Sequence, residues 1–218
     1  MDKDKLLRKF KELLDEFYDG SKTPPDIDLN YFTEIPAGTF LYGDEKREVY
    51  LQTFYIGRCC VTEGEFAKWK KIEPRFYEHL PVVSLTFQEA KDYAKSIGCR
   101  LPTNEEWEKA ARGTDGREYP WGNEFDALKC NCENRINRLT TVRSFPSGVS
   151  PYGCYNMVGN AWEYVTNKNS GPSLRGGSFL LDQWFVRCAY RSGGGPSGWY
   201  GYLGFRVVLA PENPPLFS

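Results

Sequence analysis

Leu6, Phe10, Leu13 and Phe17 recur at helical spacing, and Leu7 and Leu14 widen the stripe, so residues 3–18 predict an amphipathic helix. Gly20 stops it, and Lys22-Thr-Pro-Pro-Asp26 reads as a linker. From Tyr31 the pattern changes to short apolar runs cut by Gly and Pro. Residues 32–40 and 49–56 predict strands on either side of a turn at Gly43-Asp44. Three capped helices follow. Thr62 with Glu65 opens the first, which runs through Phe66 and Trp69. Thr86 with Glu89 opens 86–97, whose inner face is Phe87, Ala90, Tyr93, Ala94 and Ile97. Thr103 with Glu106 opens 103–112, with Trp107, Ala110 and Ala111 turned inward.

Beyond Gly113 helical periodicity stops. Val142, Val158, Trp162, Val165 and residues 205–209 suggest short strands among Gly, Pro, Asn and aromatic residues. Helices early and a final strand late make an α+β arrangement. We divide the chain into an N-terminal helix and linker, 1–22, and one domain, 23–218. The helix packs on its own domain or serves as an oligomerisation element; fewer than three heptads make a weak coiled coil.

Composition narrows the function classes. A 16% share of aromatic residues lets loop-rich sequence pack on itself, so the absence of regular periodicity does not imply disorder. The net charge of −1 argues against nucleic acid, whose phosphates require a basic patch. No apolar run approaches the roughly 20 residues of a membrane span. The first ten residues are charged throughout and lack the apolar stretch of a signal peptide, which gives the expectation of a cytoplasmic protein. Seven cysteines are too sparse for a disulfide scaffold and read as buried thiols, with Cys130 and Cys132 the candidates for pairing with distant partners. There is no CxxC pair and His79 is the sole histidine, which argues against zinc.

Nine motifs occur in order: Ile35-Pro-Ala-Gly-Thr-Phe40, Phe54-Tyr-Ile-Gly57, Val61-Thr62 with Phe66, Pro81-Val-Val-Ser84, Arg100-Leu-Pro-Thr-Asn-Glu-Glu-Trp-Glu108, Tyr119-Pro-Trp-Gly-Asn123, Asn156-Met-Val-Gly-Asn-Ala-Trp-Glu163, Arg175-Gly-Gly-Ser178 and Gly204-Phe-Arg-Val207. Together, over roughly residues 32–209, the chain resembles the sulfatase-modifying-factor family, of which formylglycine-generating enzyme is a member. The resemblance implies a C-type-lectin-like fold, rich in irregular loops. The enzyme branch implies a pair of cysteine thiolates that bind copper(I) and oxidise protein cysteine. Here Arg187-Cys-Ala-Tyr-Arg191 supplies Cys188, and Gln183 falls where the partner would be. The sulfoxide-synthase branch needs iron on three histidines, which one histidine cannot provide. The enzyme branch also implies a structural calcium ion on Asn156, Gly159, Ala161 and Glu163, oxygen donors of the kind calcium takes.

A third branch, the variable proteins of diversity-generating retroelements, fits the C-terminal segment. It resembles theirs in Arg175-Gly-Gly-Ser-Phe179, Arg187-Cys-Ala-Tyr-Arg191, Pro196 and Gly204-Phe-Arg206. Between these fixed points lie Leu180, Leu181, Asp182, Trp184, Phe185, Tyr190, Ser192, Gly193, Gly194, Gly195, Ser197, Gly198, Trp199, Tyr200 and Tyr202. From Tyr190 onward this is the Tyr, Trp, Ser and Gly palette of antibody binding loops, where rigid aromatics give contact area and small residues give adaptability. The segment lacks an apolar period, as a displayed surface would. Leu174, Arg175, Arg187, Arg191 and Arg206 read as scaffold, their guanidiniums tying loops by carbonyl hydrogen bonds. The expectation is a non-enzymatic protein whose variable region, about 174–209, binds a protein or other macromolecular ligand. A copper oxidase, or an assembly domain without catalysis, is the alternative.

Overall fold

The computed structural model describes residues 31–193 and 201–209. The predicted N-terminal helix at 3–18 and its linker lie outside them. Four short strands open the domain: β1 (Phe32–Ile35), β2 (Gly38–Tyr42), β3 (Arg47–Leu51) and β4 (Phe54–Gly57). Three helices follow, α1 (Glu63–Lys70), α2 (Phe87–Ser96) and α3 (Asn104–Arg112). A long irregular stretch, broken by one 3₁₀ turn (Pro146–Gly148), leads to β5 (Trp162–Thr166), β6 (Pro172–Arg175), β7 (Arg191–Ser192), β8 (Leu203–Phe205) and β9 (Val208–Leu209). The strands form sheets in the orders β1-β4-β9, β2-β3 and β7-β6-β5-β8. This is an α+β arrangement, with helices packed on small sheets.

All three capping boxes form as predicted: Thr62, Thr86 and Thr103 each accept from the backbone three residues on, and Glu65, Glu89 and Glu106 return the bond. The predicted strands differ in an informative way. The segment 32–40 divides at Pro36, which has no N–H to donate, and Ala37 gives its own N–H to Thr53 Oγ1 at 3.1 Å. Hence β1 pairs with β4 (Ile35 opposite Phe54) while β2 pairs with β3 (Tyr42 opposite Arg47), and one long hairpin feeds two sheets. The stretch 205–209 also divides, at Arg206-Val207. Phe205 ends a strand parallel to β5, and Val208 begins one antiparallel to β4. Val142 and Val158 lie in loops, not strands.

Two large apolar clusters make most of the core, beside a small third of Cys59, Cys60 and Val142. Phe66 of α1, Tyr93 of α2 and Phe205 of β8 meet edge-on or tilted in the first, with centroids 5.5–6.4 Å apart. The second gathers Trp107, Ala110 and Ala111 of α3 against Ile56, Val165, Met157 and Val208. Full burial of an Ile, Val or Met side chain among these stabilises the fold by about 1.5–3 kcal/mol. All seven cysteines are buried and free. Among the described residues, no helix is long and apolar enough to cross a membrane.

Candidate ligand-binding face

Beneath the C-terminal segment the protein buries charge. Glu108 of α3 accepts from the Gly43 N–H (2.6 Å), from Arg112 Nη1 (2.7 Å) and from Arg175 of β6. Arg175 also reaches the carbonyls of Cys188 (3.0 Å) and Ala189 (3.2 Å), so the same guanidinium that neutralises Glu108 holds the backbone of the Arg187–Arg191 motif. Arg206, at the sheet switch, bonds Glu163 and donates to the carbonyls of Gly57 (3.0 Å), Arg58 (3.2 Å) and Tyr155 (2.9 Å). Glu108, Arg112, Glu163, Arg175 and Arg206 have no solvent exposure. An ion removed from water costs several kcal/mol unless it is paired and hydrogen-bonded; each of these is paired, and of their polar atoms only Arg175 Nε is left without a hydrogen-bond partner.

Arg175 and Arg206 therefore act as the sequence predicts. Arg187 likewise donates to a carbonyl, that of Trp184 (3.2 Å), and also pairs with Asp44 (2.7 Å) and Glu118 (3.3 Å). Arg191 differs, for it donates to the Tyr42 hydroxyl (3.1 Å). Arg112 and Lys109, which the sequence did not single out, belong to the scaffold. Arg112 donates to the carbonyls of Gly43, Gly116 and Arg117, and Lys109 to those of Pro36 and Gly38. The signal was present: a basic residue on the inner face of a helix whose neighbours are Trp and Ala needs buried acceptors.

On this base the segment after β6 runs outward. Gly177 sits at φ +73°, and a Cβ there would come within 2.7 Å of Val186 Cγ1 and 2.9 Å of the Phe185 carbonyl, so only glycine fits the bend. The Glu133 and Asn134 N–H groups hold the carbonyls of Leu181 (2.8 Å) and Phe179 (2.7 Å), and Asp182 caps the next turn by accepting from the Trp184 N–H (2.9 Å). Leu180 and Trp184 point away from this pinned backbone, while Leu181 packs back on the core. Trp184 is 63% exposed and Leu180 42% exposed. Asp182 and Gly193 are exposed, and Leu181, Phe185, Tyr190, Ser192 and Tyr202 are half-buried. Arg187 stacks on the Trp184 ring at 4.4 Å.

Several of these groups touch. The Tyr190 ring lies 5.2 Å from Phe185 and 6.1 Å from Trp162, and Tyr202 lies 6.1 Å from Phe179. The Trp162 N–H donates to the Tyr202 carbonyl at 2.9 Å, which joins the two groups. Trp162, expected in a short strand, lies in β5 and is half-buried: β5 turns it toward Tyr190 while Tyr164 and Val165 take the inner positions. Gly194, Gly195, Ser197, Gly198, Trp199 and Tyr200 lie outside the described residues.

Calcium does not fit the four residues the motif suggests. Both Glu163 oxygens are occupied: Oε2 accepts from Trp107 Nε1 (2.8 Å) and Arg206 Nε (2.7 Å), and Oε1 from Arg206 Nη2 (2.8 Å) and the Cys60 thiol (3.3 Å). A carboxylate already neutralised by a guanidinium has no charge left for a cation. Asn156 donates its amide nitrogen to the Thr141 and Val142 carbonyls and keeps a buried Oδ1 without a hydrogen-bond partner. The thiol of Cys188 is fully buried, and burial pushes it well above the ordinary thiol range. Gln183, at the position of an expected partner, is exposed.

The model of the sulfatase-modifying factor enzyme 1-like domain matches residues 21–211. The chain belongs to this family. Among its curated relatives, the uncharacterized protein YfmG of Bacillus subtilis is 26% identical over 85% of the chain. An inactive C-alpha-formylglycine-generating enzyme 2 from Bos taurus is 33% identical over 62% of it, and a formylglycine-generating enzyme from Streptomyces coelicolor 34% identical over 59%. The chain spans 52% of the length of each. Two solved structures show the fold of this family member. PvdO from Pseudomonas aeruginosa matches with a TM-score of 0.68 at 23% identity, covering 86% of this chain and 99% of that one. Treponema denticola variable protein 1 matches with a TM-score of 0.73 at 17% identity, covering 83% and 95%. The domain is thus an α+β, C-type-lectin-like member of the sulfatase-modifying-factor family.

Proposed function

We propose that the face carrying Leu180, Leu181, Asp182, Trp184, Phe185, Tyr190, Ser192 and Tyr202 binds a macromolecular ligand, and that the protein is the variable protein of a diversity-generating retroelement and not an enzyme. Gly194, Gly195, Ser197, Gly198, Trp199 and Tyr200 complete the same variable region by sequence. One observation carries the reading: exposed and half-exposed aromatic side chains stand on a backbone held from below by Arg175, Glu133 and Asn134. Side chains can then change while the fold stays. Aromatic area interleaved with small and polar groups is also the composition of binding loops. The likeness to the Treponema denticola variable protein supports it at the level of fold. An oxidase of protein cysteine needs a thiolate that a polypeptide substrate can reach, and Cys188 is fully buried with its proton held on.

The test is to sequence the locus in sibling isolates. Substitutions confined to adenine-containing codons of 180–202, with Arg175, Arg187 and Arg206 constant and a near-identical template repeat beside a reverse transcriptase gene, are expected. Uniform conservation of the segment, or substitutions spread evenly over the chain, would overturn the proposal.

A further inference from the structure

Cys130 and Cys132 were singled out only as candidates for distant pairing. They face each other instead, with sulfurs 3.4 Å apart and both side chains buried. The residue between them is clamped. Asn131 donates its amide to the Arg138 carbonyl (2.8 Å) and Asn160 Oδ1 (3.1 Å), and its carbonyl accepts from the Asn160 N–H (2.8 Å). The next two residues, Glu133 and Asn134, hold the carbonyls of Leu181 and Phe179. Half-buried Leu181 also packs against the apolar cluster that contains both sulfurs. The dithiol therefore lies directly under the outward-running segment.

We propose that Cys130 and Cys132 are a redox modification site, closed to a disulfide by a hydroperoxide small enough to reach the cluster. The Cys132 sulfur attacks one peroxide oxygen; the O–O bond breaks, and the departing hydroxide takes the Cys132 thiol proton to become water. This leaves Cys132 as a sulfenic acid. The Cys130 sulfur then attacks the Cys132 sulfur, the S–S bond forms as S–O breaks, and the hydroxyl leaves as water with the Cys130 proton. Two thiols lose two electrons and two protons, and one hydrogen peroxide becomes two waters. The sulfur–sulfur contact, in which either thiol can donate, lets one thiol resolve a sulfenic acid formed on the other, whereas burial raises the thiols of Cys59, Cys60, Cys99, Cys154 and Cys188.

Closing the bond takes the sulfurs from 3.4 Å to about 2.0 Å. With Asn131 clamped, the movement passes to Glu133 and Asn134, and through their N–H groups to the backbone at Phe179 and Leu181. Oxidation thus shifts the base of the exposed segment.

The experiment treats the folded protein with hydrogen peroxide, alkylates free thiols in denaturant and digests with trypsin. Cleavage after Lys129 and Arg135 releases both cysteines on one peptide. That peptide is expected unalkylated and lighter by two hydrogens, restored by dithiothreitol, while the peptides carrying the other five cysteines are alkylated. In Cys130→Ser, which changes the fold least, the same peptide is expected to carry a trapped sulfenic acid. Amide exchange at Glu133 and Asn134 is expected to quicken at least tenfold on oxidation. A fully alkylated 130–135 peptide after treatment of the wild-type protein overturns the site. A disulfide with unchanged exchange at Glu133 and Asn134 overturns its coupling to the segment above.

Discussion

Arg206 grips Glu163 in a two-pronged pair, Nε to Oε2 at 2.7 Å and Nη2 to Oε1 at 2.8 Å, with neither side chain exposed. Arg206 leaves the chain where it passes from β8 to β9, and Glu163 lies in the middle of the sheet that β8 joins. The pair therefore locks the two sheets together. Glu163→Gln is expected to cost about 3–5 kcal/mol, because it leaves a buried guanidinium without its counter-charge. Chemical denaturation checks this. The double change Glu163→Leu with Arg206→Met is expected to be less damaging than Glu163→Gln alone, although it still loses the carbonyls of Gly57, Arg58 and Tyr155.

Trp107 is fully buried, and its indole N–H is the third donor to that carboxylate. Trp107→Ala is expected to destabilise by about 3–5 kcal/mol through the cavity it leaves. Trp162→Ala is expected to cost clearly less, since its ring is half-buried against Tyr190. Equal losses in thermal unfolding would contradict that ranking.

The helices were legible in the sequence because each carries a local signature: Thr62, Thr86 and Thr103 sit three residues before a glutamate that completes the box. The strand breaks at Pro36 and at Arg206 were not, because pairing partners decide them: β1 and β9 both pair with β4, which is adjacent to neither in sequence. The exposed positions Leu180, Asp182 and Trp184 could be read from composition. Trp162 could not: a tryptophan inside a motif of Asn, Gly and Ala gives no sign of which way its strand faces. The partner of Glu163 was hidden for a related reason, since the motif shows the carboxylate but not the arginine, forty-three residues on, that bonds it.

Acid should weaken α2. Glu89 accepts from the Thr86 N–H at 2.9 Å and pairs with Lys70 at 3.0 Å, and these hold its carboxyl below the ordinary value of 4.5. A carboxyl depressed in the folded state contributes stability above its unfolded pKa and loses it as pH falls through the folded one. The melting temperature of the wild-type protein is therefore expected to fall below about pH 4.5, and Glu89→Gln to fall less over the same range. Parallel pH profiles for the two proteins would count against it.

The most direct measurement is a pair of display libraries scored by protease resistance. One randomises Leu180, Asp182, Gln183, Trp184 and Ser192 together; the other randomises Glu108, Glu163, Arg175 and Arg206. Surface substitutions typically stay within about 0.5 kcal/mol each, whereas a broken buried pair costs several. Most members of the first library are expected to remain folded and few of the second. If the first library collapses as the second does, the exposed segment is part of the core and is not a surface free to vary for binding.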